Sequence, residues 1–308
     1  MTASPTTARP TDATPADLVD AVQRLVAAPA PLLVVADFDG TLAAGSRDPG
    51  AARIDPVAQR ALRHLARIAA ADGGVVPVVL TGRTVRDVAA RVRVGGLEYL
   101  GDHGLQSARL ARGGRVGGLH VRTEPGFDGH HDPAERLARG VAEVLGTPPW
   151  LFVERKGASV AFHVRQAGDV PAARAAVLAA IATVEAREGL TDHGLAHYRG
   201  RSVVDLRPEA AGGKREAVER LLVRHAPGAV IVLGDELSDV DAFDAVVGAR
   251  SAGAVVGVTV AVHGASAPAP AELLVHADLA VESPRAVGRF LRSLAVHLSA
   301  AADARGGG

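Results

Sequence analysis

The chain has 308 residues, of which 48% are hydrophobic, so it can form one large or two ordinary folded domains. Its 34 basic and 34 acidic residues balance, which argues against an electrostatic surface for nucleic acid or for an anionic membrane. It contains no cysteine, which excludes disulfides, thiol catalysis and thiolate metal sites and is compatible with a cytoplasmic location.

The N-terminal segment 1–16 is rich in Thr, Pro and Ala and lacks the apolar stretch of a secretion signal, so we predict a disordered tail. No apolar run in the chain approaches the ~20 residues that a membrane-spanning helix needs. We therefore expect a soluble protein with neither a membrane nor a nucleic acid as partner.

The next segment alternates short buried strands with amphipathic helices, which predicts a βαβαβ unit and a parallel, doubly wound (Rossmann-like) sheet. The predicted elements are a strand at Leu32–Ala36, a helix near 55–71, a strand at Val75–Leu80, a helix near 84–92 and a strand near 97–101. The same pattern resumes later with helix 214–225, strand 229–233, helix 239–247, strand 254–260 and a final helix after Pro284.

Between these two halves the pattern changes. Segments 115–124, 151–165 and 195–208 alternate polar and apolar residues, which favours strands, whereas 132–145 and Val170–Glu188 read as helices. This predicts a second, α+β domain at 105–207, inserted into an α/β core domain that comprises 17–104 and 208–308.

Two acidic residues follow the first strand directly in the motif "DFDGT", where Asp37 falls at the carboxyl end of the strand. Ligands bind at that end of an open α/β sheet, which favours a functional role for Asp37 and Asp39. The alternative is a turn or a helix cap that uses Asp39, Gly40 and Thr41.

Three further signals fall at corresponding places in this domain. Thr81 in "TGR" follows the second strand, Lys214 begins the helix before the fourth strand, and Asp235 and Asp239 in "GDELSD" follow the fourth strand. Each alone has an ordinary structural explanation, such as a helix cap or a solvated surface residue. The carboxyl ends of adjacent parallel strands converge, however, so we expect all of these groups in one crevice. Several carboxylates there need a cation, and an all-oxygen set favours Mg²⁺.

This combination resembles the haloacid dehalogenase superfamily of phosphohydrolases, whose "DxDGT" signature is complete here. The resemblance implies that Asp37 attacks phosphorus, that Asp39 acts as acid and base, and that Thr81 and Lys214 bind the phosphoryl group. It also implies a Mg²⁺ site formed by Asp37, Asp39 through its backbone carbonyl, Asp235, Glu236 and Asp239. Further substrate contacts are implied for Gly40, Thr41, Gly82, Arg83 and His103.

The order of the motifs, including "VERKGASVAFHVR", "VVDLRP" and "SDVDAF", is similar to the trehalose-6-phosphate phosphatase family. In that family the cap reads the sugar hydroxyls, which implies that role for Glu154, Lys156, His163 and Arg165. Lys156 and Lys214 are the chain's only two lysines among 34 basic residues, which suggests sites that need an ammonium group. For His163 and Arg165, an exposed hairpin without a ligand role is an equal alternative.

The chain also departs from the family pattern. Arg215 replaces the usual Gly, Asp102 and Gln106 replace a Ser and a Glu, and Val240 replaces an acidic residue. These changes leave open a related phosphatase for sucrose phosphate or a glycosyl-phosphoglycerate. A sugar-phosphate sensor without catalysis is a further alternative, as is an association with the synthase that makes trehalose 6-phosphate.

Overall fold

A computed structural model describes residues 12–46, 48–190, 192–199, 202–264 and 269–306. The chain divides into two compact units. The core unit comprises Met1–Arg122 and Gly213–Gly308, and the inserted unit comprises Thr123–Gly212. The predicted insertion at 105–207 was therefore placed too early at both ends. Its first residues, 106–109, form a strand of the core sheet instead, because they turn back antiparallel on the preceding strand.

The strands are β1 (Leu32–Ala36), β2 (Val75–Leu80), β3 (Glu98–Gly101), β4 (Gln106–Arg109), β5 (Arg122–Thr123), β6 (Phe152–Arg155), β7 (Val160–His163), β8 (Leu195–Arg199), β9 (Val203–Pro208), β10 (Ala229–Gly234), β11 (Val256–Val262) and β12 (Leu279–Val281). The α-helices are α1 (Pro15–Ala27), α2 (Pro56–Ala71), α3 (Val85–Val92), α4 (His131–Leu145), α5 (Val170–Glu188), α6 (Lys214–His225), α7 (Leu237–Ser251), α8 (Ala271–His276) and α9 (Pro284–Gly306).

The core unit is built on an eight-stranded sheet of order β12-β11-β10-β1-β2-β3-β4-β5. The strands from β12 to β3 run parallel, and β4 pairs antiparallel with β3. Strand β1 lies between β2 and β10, so the ends of these three strands meet at one edge. The prediction that the strands carrying the sequence motifs lie side by side is confirmed.

Helices cover both faces of this sheet, because the side chains of each strand alternate between two buried layers. Val34 packs with residues of α1, α2, α3 and α9, whereas Val35 packs with residues of α6, α7 and α8. The sequence-predicted α/β doubly wound core is therefore confirmed. It holds the strand ends rigidly, which is what a precise site requires.

The inserted unit contains a four-stranded antiparallel sheet of order β6-β7-β9-β8. One face of this sheet packs on α4 and α5 through residues such as Phe162, Leu206 and Val177. The predicted antiparallel sheet with helices on one face agrees with this architecture. The predicted strand in segment 115–124 is wrong, since 116–118 form a 3₁₀ turn and only Arg122–Thr123 are strand.

The predicted N-terminal tail was too long. Residues 1–11 lie outside the described part of the chain, but Thr14 caps α1, which begins at Pro15. Thr14 and Asp17 form a reciprocal capping box that satisfies backbone N–H groups at the helix start. Within the described residues, no helix is both long and apolar enough to cross a bilayer.

Candidate active site

The loop after β1 carries Asp37 and Asp39 on a tight turn. The turn closes through hydrogen bonds from the N–H groups of Leu42 and Ala43 to the carbonyl oxygen of Phe38. The Phe38 ring is fully buried in the core, which anchors the loop between the two acids. Asp37 is 4% exposed, whereas the Asp39 side chain is 42% exposed. The same loop therefore presents one buried and one accessible carboxylate.

Gly40 in this loop has a φ of +81°, a left-handed conformation that favours glycine. A Cβ atom at this position would lie 1.9 Å from Oδ2 of Asp235. The next residue, Thr41, donates a hydrogen bond from Oγ1 to Oδ1 of Asp235 at 3.3 Å. The "DFDGT" loop therefore lies directly against the loop after β10, and any side chain at Gly40 would displace Asp235.

Lys214, the first residue of α6, is 1% exposed and lies among carboxylates. Its ammonium Nζ donates to Oδ1 of Asp37 at 2.9 Å and to Oδ1 of Asp239 at 2.7 Å. Burial disfavours this ammonium, but the charges of Asp239 and Asp37 outweigh burial and raise its pKa well above the ordinary value. Lys214 is therefore a permanently charged group that positions the predicted nucleophile.

Asp239 has two different partners. Its Oδ1 accepts from Lys214, and its Oδ2 accepts from the backbone N–H groups of Asp235 and Glu236, both at 3.1 Å. It therefore caps the start of α7 and fixes the shape of the "GDELSD" loop. Glu236 is more peripheral: it accepts from the hydroxyl of Ser238 at 2.6 Å and lies 3.6 Å from Lys214 Nζ.

Oxygen atoms of Asp37, Asp235 and Asp239 lie within 4.8 Å of one another. Burial raises the pKa of Asp37 well above its ordinary value, although the Lys214 ammonium opposes the rise. Burial, together with the negative charge of Asp239, raises the pKa of Asp235 to about 8. Three carboxylates against one ammonium leave a surplus of negative charge, so their chemistry fits a small, hard cation such as Mg²⁺.

Arg83 forms a bidentate ion pair with the other predicted catalytic acid. Its Nε and Nη2 contact Oδ2 and Oδ1 of Asp39 at 2.5 and 2.7 Å, and its Nη1 contacts Oδ2 of Asp87 at 2.7 Å. Burial opposes the charge of Arg83, yet its hydrogen bonds to Asp39 and Asp87 raise its pKa still further. Both oxygens of Asp39 thus accept hydrogen bonds from Arg83.

The loop after β2 places Thr81 at the same edge of the sheet. Thr81 is 1% exposed, and its Oγ1 accepts from the backbone N–H of Arg83 at 3.2 Å. Its carbonyl accepts from the N–H of His103 at 2.9 Å, which joins this loop to the one after β3. A Cβ on Gly82 would lie 2.7 Å from the His103 ring, so these predicted substrate-binding residues are closely packed.

The other four predicted substrate-binding residues belong to the inserted unit. Nε2 of His163 lies 2.9 Å from Oε2 of Glu154, and Lys156 Nζ lies 3.6 Å from Oδ1 of the buried Asp205. Arg165 is exposed just beyond β7. These contacts neither confirm nor exclude sugar binding by the four residues, which therefore remains a prediction.

Sequence reasoning missed a charged cluster on the same sheet. Asp205 pairs through Oδ2 with Nε of Arg207 at 3.1 Å, and the Arg207 guanidinium stacks over Tyr198, 3.8 Å from the ring centroid. The signal was the alternation of Asp205 and Arg207 in "VVDLRP", which places both on one face of β9. Asp87 was missed likewise, because its role depends on the direction of the Arg83 side chain.

Comparisons with known proteins agree with this geometry. The family model described as Trehalose-phosphatase matches residues 35–272. A trehalose-phosphate phosphatase of Mycobacterium marinum is 35% identical over 241 residues, which are 75% of this chain and 56% of that protein. A protein of Mycobacterium tuberculosis described as an uncharacterized glycosyl hydrolase is 33% identical over 288 residues, 91% of this chain but 19% of that protein.

The chain thus spans only part of the length of these relatives. Among solved structures, the C-terminal domain of a Candida albicans trehalose-6-phosphate phosphatase superposes with a TM-score of 0.69 at 19% identity, covering 94% of this chain and 99% of that one. This likeness shows the shared fold. The family model matches most of the chain, so the chain belongs to the trehalose-phosphatase family.

Proposed function

We propose that this protein is a Mg²⁺-dependent phosphatase that hydrolyses trehalose 6-phosphate to trehalose and phosphate through an aspartyl-phosphate on Asp37. The observation that carries the proposal is the buried cluster in which Lys214 bridges Asp37 and Asp239 beside Asp235. A purely structural role does not account for two carboxylates at the ends of adjacent strands and a third in the first turn of α7, because their mutual repulsion destabilises the fold.

Asp37 would act as the nucleophile. One oxygen of its carboxylate attacks phosphorus, the bond from phosphorus to the sugar oxygen breaks, and the sugar oxygen takes a proton from Asp39. In the second step Asp39 removes a proton from water, which attacks the same phosphorus and releases Asp37. Lys214 holds Asp37 in place and offsets the charge of the transferring group.

Asp37, Asp235 and the backbone carbonyl of Asp39 would hold Mg²⁺, with Asp239 and Glu236 beside them. The bound ion would supply positive charge that stabilises the transferring phosphoryl oxygens. Asp239 would contribute mainly by shaping the loop, because both of its oxygens already accept hydrogen bonds from the chain.

Arg83 would link substrate binding to proton transfer. It pairs with both oxygens of Asp39, and it is itself fixed by Asp87. An arriving phosphate is a competing bidentate anion for a guanidinium, so it can draw Arg83 away. The released Asp39 carboxylate can then take a proton from solvent, and this is the proton that it donates to the leaving sugar oxygen. In this scheme Thr81, Gly82 and His103 form the wall of the phosphate site, as predicted.

The substrate is proposed from the names of the relatives, which include trehalose-phosphate phosphatases. The test is phosphate release from trehalose 6-phosphate, sucrose 6-phosphate, a glycosyl-phosphoglycerate, glucose 6-phosphate and p-nitrophenyl phosphate, each with Mg²⁺ or with EDTA. We expect the highest kcat/KM with trehalose 6-phosphate and loss of activity in EDTA. A higher kcat/KM with another sugar phosphate would be compatible with the proposed phosphatase mechanism but would contradict trehalose 6-phosphate as the substrate.

The covalent step can be tested with Asp39→Asn and ³²P-labelled p-nitrophenyl phosphate. The nitrophenolate leaves without a proton, so the first step should proceed while hydrolysis of the phosphoenzyme stalls. We expect label that remains with the acid-quenched protein and is released by hydroxylamine. The double variant Asp37→Asn/Asp39→Asn is the control, and label in that variant would contradict Asp37 as the nucleophile.

A further inference from the structure

Arg215 departs from the family pattern, and the proposed mechanism does not use it. It follows Lys214 directly, at the second position of α6, and its side chain is 39% exposed. Its Nη2 donates to Oδ2 of Asp244 on α7 at 2.7 Å. The other oxygen of that carboxylate, Oδ1, lies 2.7 Å from Nδ1 of His276 at the end of α8. Asp244 thus joins three helices of the core unit through one carboxylate.

The backbone before α6 does little to fix the position of Lys214. The core unit resumes at Gly213, directly after the inserted unit, and Gly212 and Gly213 have no side chains that could pack against a neighbour. The N–H of Gly213 donates to Oε2 of Glu216 at 2.6 Å, but this bond stays within the start of α6. Besides the apolar packing of Ala217, the first turn is therefore held against α7 by polar side chains that reach from one helix to the other.

Two polar contacts fix the start of α6 at two points of α7. Lys214 Nζ donates to Oδ1 of Asp239 in the first turn of α7, and Arg215 reaches Asp244, five residues further along that helix. Five residues span about 7.5 Å of an α-helix. The two contacts together therefore restrain both the distance and the tilt of the start of α6 relative to α7, whereas the Lys214 contact alone would restrain only the distance.

The other end of α6 carries a second triad of the same composition. Nη1 of Arg224 donates to Oε1 of Glu98 at 2.6 Å, and Nε2 of His225 lies 3.2 Å from Oε2 of the same carboxylate. This triad joins α6 to β3, as the Arg215 triad joins α6 to α7. It begins nine residues after Arg215, which is about 13 Å along the helix axis, so it lies far from Lys214.

We propose that Arg215 is a positioning residue of the phosphatase, which holds the start of α6 through Asp244 so that the Lys214 ammonium keeps its contacts with the catalytic carboxylates. A displacement of about 1 Å in a catalytic group can lower a rate on the order of 10²-fold. A partly exposed ion pair that contributes little to stability can therefore still matter for turnover. His276 orients the Asp244 carboxylate toward Arg215. The inference rests on the proposed role of Lys214 in phosphoryl transfer, and it applies to any phosphate ester.

The test is steady-state kinetics of Arg215→Ala with trehalose 6-phosphate and with p-nitrophenyl phosphate. We expect kcat to fall about 5- to 10-fold with both substrates and KM to stay within about twofold, because Lys214 acts on the phosphoryl group that both substrates share. Asp244→Ala should have the same effect, and the double variant should fall no further, since both substitutions break one contact. Arg215→Lys keeps a positive charge at this position, so it should lose less kcat than Arg215→Ala.

The matched control is Arg224→Ala, which breaks the triad at the other end of α6. The Arg224 side chain is 46% exposed, close to the value for Arg215, and it also pairs with one carboxylate. Arg224→Ala should leave kcat unchanged with both substrates, although it should lower Tm about as much as Arg215→Ala does. Circular dichroism checks that each variant is folded at the assay temperature.

The outcomes separate this inference from the proposed function. An active wild type with an unchanged kcat in Arg215→Ala would overturn the inference alone. Equal losses of kcat in Arg215→Ala and Arg224→Ala would overturn it as well, because the effect would then reflect the stability of α6 as a whole. Additive losses in the double variant with Asp244→Ala would contradict a shared contact and have the same consequence. A wild type that releases phosphate from no ester in the panel would overturn the proposed function and the inference together.

Discussion

The core site and the four-stranded sheet of the inserted unit position charged groups in different ways. In the core, Lys214 at the start of α6 and Asp37 at the end of β1 are 1% and 4% exposed and are joined by a hydrogen bond. On the inserted sheet, Glu154 and His163 are only half-buried and pair across neighbouring strands, next to the exposed Phe152. The charged groups of the core are therefore held by buried hydrogen bonds, whereas those of the inserted sheet are held by a partly exposed pair.

The largest expected effect concerns the core alone. Asp37→Asn should lower kcat by on the order of 10⁴-fold or more with every substrate, because an amide of nearly the same shape cannot attack phosphorus. Circular dichroism and thermal unfolding should show an intact fold. Substantial turnover by this variant would remove Asp37 from the role of nucleophile and weaken the contrast between the two regions.

Substitution of the two lysines compares the two regions directly, because Lys214 lies in the core unit and Lys156 in the inserted unit. Lys214→Ala should lower kcat on the order of 10²- to 10³-fold with both trehalose 6-phosphate and p-nitrophenyl phosphate, because its ammonium contacts Asp37 and Asp239. Lys156→Ala should cost about 1.5–3 kcal/mol in kcat/KM with the disaccharide phosphate only, as for a lost charged hydrogen bond.

Arg155→Ala is the matched control for Lys156, since it removes a positive charge from the adjacent residue, whose partner Glu135 lies on α4. Arg155→Ala should leave kcat/KM unchanged with both substrates. If Lys156→Ala slows both substrates equally, Lys156 belongs to the chemistry or to the stability of the inserted unit, where it lies beside the buried Asp205.

The smallest expected effect is a pH dependence of stability that only the core should show. The pKa of Asp235 is raised from 3.8 to about 8 by burial and by neighbouring carboxylates. Between these values the folded carboxyl group keeps a proton that the unfolded chain has lost, so the free energy of unfolding falls as pH rises. Without metal, Tm should be lower at pH 8.5 than at pH 6.

Bound Mg²⁺ offsets the same negative charge and favours deprotonated carboxylates, so it should raise Tm more at pH 8.5 than at pH 6. Scanning calorimetry with EDTA or with Mg²⁺ at the two pH values measures both effects. Asp235→Asn should abolish most of the difference between the Mg²⁺ effects on Tm at the two pH values. An equal Mg²⁺ effect at both pH values would contradict the raised pKa of Asp235 as the cause.

Much of the core could be predicted from the sequence, because buried parallel strands are short apolar runs with clear ends. The bounds of β1 and β2 agree with their predictions, and Asp55 and Thr84 cap α2 and α3 at the predicted helix starts. The convergence of the motif residues at the carboxyl ends of β1, β2 and β10 follows from the order of these strands in the sheet. By contrast, the sequence does not predict the start of α1, because the Thr-, Pro- and Ala-rich composition of 1–16 favours disorder although Thr14 and Asp17 offer a capping box.

The contacts of individual side chains could not be predicted in the same way. The pairing of Asp39 with Arg83, and of Arg83 with Asp87, depends on rotamers and on the path of two loops. The cluster of Asp205, Arg207 and Tyr198 depends on the register of β8 against β9, which an alternating pattern leaves open. Sequence patterns identified the face of the sheet but not the partners on it.

The close approach of Gly40 to Asp235 and of Gly82 to His103 has a consequence for how this gene can change. Most exposed positions tolerate substitution. At these two positions, however, even the Cβ atom of an alanine would lie 1.9 Å from Oδ2 of Asp235 or 2.7 Å from Nε2 of His103. Substitution at either position should therefore displace Asp235 or His103, although the glycine itself carries no reactive group.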